Sequence, residues 1–273
     1  MKTAKYRKYQ INEDYFQVIN SEIKAYILGL IATDGNVHRT TLSITVHRND
    51  KDILERIARE MGSTSPLYFP EGDQTARLRI HSTRLVNSLK QWGIIPDKSF
   101  IVAPAVLEQR FMSHYWRGAV DGDGCIYSSY EQNCLYLCGS KKMVEGFKKF
   151  CEEILPLSKY KVRQHRSIWI YQIHGENSVK ILESLYDNAS IYIARKNQSY
   201  QVLSKKYQEK KYHSQFKGVS WHKRRKSWFS QIRIGGKTKC LGYFDDEKDA
   251  AVAYDEFVLE NNLNRITNKQ LEG

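Results

Sequence analysis

The sequence lacks any apolar run long enough to cross a bilayer. Its longest uninterrupted run, Ala25 to Ala32, is far shorter than the ~20 residues of a spanning helix. The basic N-terminus, MKTAKYRKYQ, is followed by no apolar core, which excludes a secretory signal. Cysteine is scarce and forms no Cys-x-x-Cys pair. Cys134 and Cys138 are four residues apart, but no second pair with zinc-ligand spacing accompanies them, so we expect reduced thiols.

Acidic residues are also outnumbered, with 30 Asp and Glu against 43 Lys and Arg, which gives a net charge of +13. The imbalance is concentrated in residues 201–240, which contain twelve basic residues and one acid, Glu209. The rest of the chain is therefore nearly neutral. Such a localised excess favours a polyanionic partner, nucleic acid first and an anionic membrane second, although a solvated basic linker would explain part of it.

A repeat organises most of the chain. AYILGLIATDGNV (25–37) and HYWRGAVDGDGCI (114–126) are apolar helical stretches with a central glycine, and both end in Asp-Gly. Strand-like alternation and helical periodicity then follow in the same order in both halves. The patterned segments are 41–47, 51–60, 76–81 and 83–93 in the first half, and 134–139, 141–155, 167–174 and 178–187 in the second. The sequence thus predicts an α+β protein with a pseudo-symmetric pair of αββαββα repeats, residues 1–110 and 111–203.

The C-terminal part has a different pattern. Residues 204–215 are polar and lose the apolar periodicity, which predicts a basic linker. Beyond it, FKGVSWHKRRKSWFSQIRI and KTKCLGYF alternate like three short antiparallel strands, and residues 247–262 have the pattern of one amphipathic helix. Asp245 or Asp246 is a plausible N-cap for that helix. We therefore expect residues 216–273 to form a small module of a three-stranded sheet and a helix.

The two Asp-Gly motifs hold the residues with chemical potential. Small residues four apart give each motif helix a face on which a second helix could pack closely: Gly29 with Thr33, and Gly118 with Gly122. Parallel packing would bring Asp34 and Asp123 together at the helix C-termini, where the macrodipole and their mutual repulsion disfavour both charges. A divalent cation such as Mg²⁺ would relieve this repulsion and could support phosphodiester hydrolysis. A helix-ending turn explains either motif alone, but two matched copies favour a site.

ILGLIATDG (27–35) and WRGAVDGDG (116–124) resemble the two copies of the LAGLIDADG motif in single-chain homing endonucleases, and the resemblance covers roughly residues 20–200. It implies that Asp34 and Asp123 bind the catalytic metals, Mg²⁺ or substituting Mn²⁺, with Gly35 and Gly124 beside them. It also implies that the paired helices form an interface and that two four-stranded saddles follow the DNA major groove. Cleavage across the minor groove would leave 3′ overhangs. Ala32 departs from the motif's first acid, which Asp121 keeps.

The same family places a basic or polar residue near the cut phosphate at the end of the last strand of each half. By position these residues are His81 and His174, and a histidine there could donate to phosphate or orient a water. An exposed strand-end histidine explains each of them equally well. Lys98 and Lys196 form a second matched pair, after the third helix of each half, and are further candidates for catalytic residues near the phosphates.

The segment that begins at Phe216 resembles the ethylene-response-factor (apetala-type) DNA-binding domain, through Lys-Gly-Val at 217–219, the Gln-Ile-Arg that starts at Gln231 and Leu-Gly at 241–242. The resemblance implies that the face of its sheet lies in the major groove. The DNA-binding candidates in this module are Lys217, Lys223, Arg224, Arg225, Trp228, Gln231, Arg233 and Lys239. Trp228 could instead belong to the core of the module, and Cys240 stands where many relatives carry a tryptophan.

Together these patterns predict a monomeric, site-specific, metal-dependent endonuclease that acts in intron homing on a long double-stranded DNA target. An RNA-binding splicing maturase on the same scaffold is the alternative. A non-catalytic DNA-binding regulator ranks last, because loss of the metal acids usually accompanies that role. We expect an intracellular protein, in a bacterial or phage-infected cell or in an organelle, with no membrane attachment and no obligate protein partner.

Overall fold

The computed structural model describes residues 8–128, 133–210, 214–222 and 224–269. The chain divides into two compact units, Met1–Leu203 and Ser204–Gly273. None of the helices in the described ranges is both long and apolar enough to span a membrane.

The first unit contains two copies of one arrangement. The first copy consists of α1 (Glu22–Asp34), β1 (Gly35–His38), β2 (Thr41–His47), α2 (Lys51–Glu60), β3 (Leu67–Tyr68), β4 (Thr75–His81) and α3 (Thr83–Gln91). The second copy consists of α4 (Gln109–Asp123), β5 (Gly124–Ser128), β6 (Asn133–Gly139), α5 (Lys141–Ile154), β7 (Arg163–His165), β8 (Ile168–His174) and α6 (Glu176–Tyr186), and α7 (Ala194–Lys210) follows it. The two antiparallel sheets have the orders β1-β2-β4-β3 and β5-β6-β8-β7. The predicted pair of αββαββα repeats is confirmed.

Burial alternates along the strands and leaves one face of each sheet open. In β2, Leu42, Ile44 and Val46 are buried, whereas the residues between them are only half-buried. Helix α2 contributes a matching apolar face that includes Ile53 and Ile57. The helices thus cover one face of the sheet, and the polar residues of β2 lie on the other.

Helices α1 and α4 pack against each other with their main chains in contact. A Cβ atom at Gly29 would overlap the carbonyl oxygen of Tyr115, and one at Gly118 would overlap that of Tyr26. Further along, a Cβ atom at Gly122 would lie 2.8 Å from the Cβ atom of Thr33. Since the contacts advance in the same direction along both helices, the helices are parallel, and both C-termini lie at the same end.

The second unit has the predicted sheet and helix. It contains β9 (Val219–His222), β10 (Ser227–Ile234), β11 (Lys237–Phe244) and α8 (Glu247–Glu260), with β10 as the central antiparallel strand. Two apolar clusters join the sheet to α8: Val219 with Ala250 and Ala251, and Ile232 with Tyr254 and Val258. The Asp246 carboxylate caps α8 by accepting a hydrogen bond from the Lys248 amide at 2.7 Å.

One predicted segment differs. Residues 204–210, which we expected to begin an irregular linker, continue α7. We took the loss of apolar periodicity as a sign of irregular structure. Lys, Gln and Glu nevertheless form helices readily, even where the helix has no apolar face. The middle of α7 contains the buried side chains of Tyr200 and Leu203, which stabilise a helix that its polar sequence does not indicate. Residues 211–213 of the predicted linker lie outside the described residues.

The close helix contact generates a stability prediction. Gly29→Ala should lower the free energy of unfolding by about 3 kcal/mol or more, because its methyl group meets main-chain atoms that cannot rotate away. Gly146→Ala in α5 is the matched control. Its methyl group would lie 2.6 Å from the Cγ atom of Pro104, so this variant tests a clash with one side-chain ring rather than with the main chain, and alanine gains about 1 kcal/mol of helix propensity there. Urea titrations of both variants compare the two effects, and equal destabilisation would contradict the close packing of α1 and α4.

Candidate active site

Asp34 and Asp123 are the last residues of the two parallel helices, so they lie at the same end of the helix pair. A Cβ atom at Gly122 would be 3.3 Å from the Asp34 carboxyl carbon, which places the second motif directly against the first carboxylate. Asp34 is half-buried and Asp123 is exposed. The structure therefore brings the two predicted carboxylates together at an accessible position.

This placement disfavours ionisation of both carboxyl groups. Burial raises the pKa of Asp34 to about 7, and the nearby charge of Asp123 contributes to the increase. Partial burial of its carboxyl group also raises the pKa of Asp123, against the opposing charges of Lys98 and Lys196. At neutral pH the helix ends thus hold carboxyl groups that a cation would stabilise in the charged form.

Lys98 and Lys196 lie at the C-terminal ends of the same two helices. Both are almost fully buried, with 5% and 6% of their surface exposed. The ammonium group of Lys98 donates to the Thr33 carbonyl oxygen at 3.3 Å, and that of Lys196 donates to the Gly124 carbonyl oxygen. Burial lowers the pKa of both lysines. The two ammonium groups complement the negative helix ends and lie within the electrostatic reach of the carboxylates.

Gly35 and Gly124 are the C-cap residues of the two helices. Their amides donate to the carbonyl oxygens of Ile31 and Val120, and both adopt an extended conformation that starts the following strand. The carbonyl oxygen of Gly124 already accepts from Lys196. A metal ion bound to that oxygen would share it with the ammonium group.

Asp121, the acid that the second motif retains, is fully buried. It accepts hydrogen bonds from the hydroxyl groups of Tyr26 at 2.7 Å and Tyr186 at 2.5 Å, and from the Ile193 amide at 2.7 Å. Burial raises its pKa to about 6, and the tyrosine hydrogen bonds oppose the increase. Asp121 therefore joins α4 to α1, to α6 and to the segment that leads to Lys196. The sequence did not reveal these partners.

The two predicted histidines lie away from the carboxylates. In the first sheet, Gly35, the neighbour of Asp34, pairs with Ile44, which in turn pairs with Leu78 of β4. His81 is three residues further along β4 than Leu78. The second sheet repeats this spacing: Gly124 shares a row with Tyr171, and His174 is three residues further along β8. At about 3.3 Å per residue, each histidine is roughly 10 Å along its strand from the row beside the carboxylate.

Other contacts engage both histidines at the ends of their strands. His81 Nδ1 is 2.8 Å from the Thr41 hydroxyl group, and the His174 ring stacks on Tyr160 with 6.2 Å between the ring centres. Of the four predicted catalytic side chains other than the aspartates, the structure brings Lys98 and Lys196 to the carboxylates and leaves the histidines on the open sheet faces.

A divalent metal fits this donor set. No group of three or more His, Cys, Asp or Glu side chains suited to hold a metal ion is found in the part of the chain that the structure describes. Asp34 and Asp123 nevertheless supply two carboxylates to the same accessible position, and carboxylate oxygens are ligands that Mg²⁺ prefers. Mg²⁺ usually keeps several waters or takes phosphate oxygens, so two protein carboxylates are enough.

In the second unit, the open face of the sheet carries only part of the predicted DNA-binding set. Gln231 and Arg233 flank the buried Ile232, so they lie on the face opposite α8. Trp228 instead packs against the cluster of Val219 and the α8 alanines. It is four residues before Ile232 on the same strand, so both side chains lie on the face that α8 covers. The Lys239 ammonium group lies 4.5 Å from the centre of the Phe257 ring of α8.

The remaining basic candidates are in the turn and the preceding loop. Lys217 and Arg224 are exposed, and Lys223 lies outside the described residues. Arg225 stacks on Tyr243 at 4.2 Å. Tyr243 also packs against Phe229 and His222, with ring centres 4.9 and 5.2 Å apart. This aromatic cluster on the open face was missed, although its residues alternate with core residues along the strands.

No protein-family model and no curated protein matches this sequence. Its fold is similar to solved structures of LAGLIDADG endonucleases. One is I-GzeII in complex with its DNA target, with 11% identity and a TM-score of 0.52 over 70% of this chain and 92% of that one. Another is I-SmaMI bound to cleaved DNA, with 11% identity and a TM-score of 0.51 over 71% and 92%. A third is I-SmaMI bound to an uncleavable DNA target, with 12% identity and a TM-score of 0.50 over 69% of this chain and 92% of that one. The chain therefore has the α+β fold of the LAGLIDADG meganucleases.

Proposed function

We propose that this chain is a site-specific endonuclease that hydrolyses both strands of a double-stranded DNA target with the help of divalent metal ions, Mg²⁺ or Mn²⁺. The observation that carries the proposal is the pair of accessible carboxylates, Asp34 and Asp123, at the ends of two parallel helices, each with a buried lysine beside it. Two such half-sites in one chain suit two strands, so a monomer would be complete. The I-GzeII and I-SmaMI structures, which hold DNA on the same fold, support a DNA substrate.

The residues of this site divide the work of hydrolysis. A divalent cation held by Asp34 and Asp123 would supply an activated water and neutralise charge on the phosphate. Lys98 and Lys196 hold positive charge beside the carboxylates, where it offsets the charge of an incoming phosphodiester. Hydrolysis adds water across one P–O ester bond in each strand. Gly35 and Gly124 start the strands directly after the carboxylates and so fix the two sheets relative to the reacting groups.

The open sheet faces offer the surface for a long duplex. In the first sheet, Arg77 and Arg79 lie on this face; Asp73 holds Arg77 at 2.9 Å, and Arg79 lies over the Tyr68 ring at 4.8 Å. The corresponding face of the second sheet carries Gln172 and Arg163. Such fixed guanidinium and amide groups suit the hydrogen-bonding edges of bases in the major groove.

We further propose that the second unit adds contacts to DNA through its basic turn and the open face of its sheet, in the manner of the apetala-type domain that its sequence resembles. Arg225 and Arg233 provide charge on this face, and Gln231 provides a hydrogen-bonding side chain. The unit would add affinity rather than chemistry, because Asp34 and Asp123 belong to the other unit. An enzyme with this target would act inside the cell.

Asp34→Asn or Asp123→Asn should abolish double-strand cleavage and leave DNA binding nearly unchanged, because the change removes metal coordination rather than affinity. The measurement is cleavage of a randomised duplex library with Mg²⁺, alongside DNA binding in a gel-shift assay. Asp52→Asn, an exposed change on α2, is the control and should cut normally. Full cutting by either site variant would refute the assignment. Binding of structured intron RNA by the wild-type chain, with no DNA cleavage at any metal concentration, would favour the maturase alternative.

Asp34→Asn should also stabilise the metal-free protein at alkaline pH. The pKa of Asp34 in the folded state, about 7, is above its ordinary value of 3.8, so between these values the folded state binds a proton that the unfolded state lacks. Wild-type stability therefore falls as pH rises through this window. We expect the variant's advantage to grow from pH 5 to pH 8 and to reach about 2 kcal/mol, after allowance for solvent screening. Urea unfolding in EDTA measures it, and a constant difference at all pH values would contradict the raised pKa.

The combined change of Arg225→Gln and Arg233→Gln should flatten the salt dependence of DNA binding. Each lost phosphate contact lowers the slope of log affinity against log salt concentration by about 0.9, so two contacts account for about 1.8. Lys248→Gln is the control, since it removes an exposed charge from α8, which covers the opposite face of the sheet. Identical slopes for the double variant and the wild type would show that this face does not touch DNA.

A further inference from the structure

The two half-sites differ in the residue that precedes each matched lysine. Asp97 precedes Lys98, and Arg195 precedes Lys196, so equivalent positions carry opposite charges. Asp97 is exposed and takes a left-handed conformation with φ of 55° before the short helical turn Lys98–Phe100. Arg195 is the second residue of α7. One half-site therefore has an additional cation where the other has an anion.

The Arg195 side chain has a fixed position. Its Nε atom pairs with the Asp50 carboxylate at 2.7 Å, and only 4% of the Asp50 side chain is exposed. Asp50 is at the N-cap position of α2, yet its side chain makes no capping hydrogen bond, so the carboxylate is directed to Arg195 instead. Because Asp50 belongs to the first repeat and Arg195 follows the second, the ion pair holds the guanidinium group against both repeats.

The fixed guanidinium group remains accessible. More than half of the Arg195 side chain, 54%, is exposed, although its Nε atom is paired. Burial raises the pKa of Asp34, and the charge of Arg195 partly opposes that increase; burial lowers the pKa of Lys196, and the charge of Arg195 lowers it further. Arg195 directly precedes Lys196, whose ammonium group donates to the carbonyl oxygen of Gly124, the residue after Asp123. A planar guanidinium group in this position can bind phosphate oxygens in a bidentate manner, and the acidic Asp97 cannot.

We propose that Arg195 binds a phosphate of one DNA strand only, so that the two strands are not cut at equal rates. The inference rests on the proposed endonuclease function and names the residue that makes the half-sites unequal. The alternative role for Arg195 is structural, since its pair with Asp50 also holds the start of α7 to α2. Arg56 offers a matched comparison, because its guanidinium group donates to the Ser190 carbonyl oxygen at 2.5 Å and pairs with Glu60 at 3.9 Å, and so joins the same two regions with no described contact to Asp34 or Asp123.

The test follows each strand separately. A cleavable duplex selected from the library carries a different fluorophore on each strand, and single-turnover rates are measured for the wild type, Arg195→Ala, Arg195→Lys and Arg56→Ala. Arg195→Ala should slow one strand by about 10- to 100-fold, leave the other within about 3-fold and accumulate nicked duplex. Arg195→Lys should restore part of the lost rate, since it keeps the charge without the bidentate geometry. Arg56→Ala should keep the wild-type ratio of the two rates, even if its thermal stability falls.

Equal slowing of both strands by Arg195→Ala, or the same strand bias in Arg56→Ala, would overturn the proposal and leave the structural role. A second measurement does not depend on cleavage. In EDTA, Arg195→Ala should lower the slope of log DNA affinity against log salt concentration by about 0.9, and Arg56→Ala should not. If the wild type cuts no DNA, the proposed function fails, and the salt slope still decides whether Arg195 contacts phosphate. An unchanged slope would refute the contact.

Discussion

The rest of the first unit depends on the contact between α1 and α4, in which two main chains touch without intervening side chains. Only glycine permits this contact, and Gly29 and Gly118 occupy the two symmetric positions. The contact aligns the helices in parallel, and parallel helices end together. Asp34 and Asp123 are neighbours for this reason, and the strands that follow them begin at the same place.

The same geometry creates the electrostatic problem that the site solves. Two carboxylates meet at the negative ends of two helices, partly removed from water, and their pKa values rise as a result. The positive charges of Lys98 and Lys196 reduce the repulsion between the two carboxylates, but two ammonium groups are buried as a result. An arrangement of this kind does not maximise stability. Under the proposed function, a divalent cation and an anionic substrate would complete the charge of this site.

The sequence predicted those features that leave a local pattern. The bounds of β2 and α2 follow from regular alternation and periodicity, and the carboxylate pair followed from a motif that occurs twice. The environment of Asp121 could not be predicted, because its partners Tyr26 and Tyr186 are 95 and 65 residues away and only the fold brings them together. Helix α7 was missed because it is polar. The core position of Trp228, one of the two alternatives that the sequence left open, agrees with its place in phase with the buried Ile232.

Because of the buried hydrogen bond between Tyr26 and Asp121, the two repeats are not equally suited to form a symmetric homodimer. Tyr115 occupies the position in α4 that Tyr26 occupies in α1, whereas the counterpart of Asp121 is Ala32. A symmetric homodimer of the second repeat would place Tyr115 opposite Asp121 at both places, and each Asp121 would keep the Tyr186 hydroxyl group and the Ile193 amide as partners from its own repeat. A homodimer of the first repeat would bury two tyrosine hydroxyl groups opposite alanine, with a penalty of about 1–3 kcal/mol for each missing acceptor. A symmetric homodimeric version of this fold should therefore be built from two copies of the second repeat.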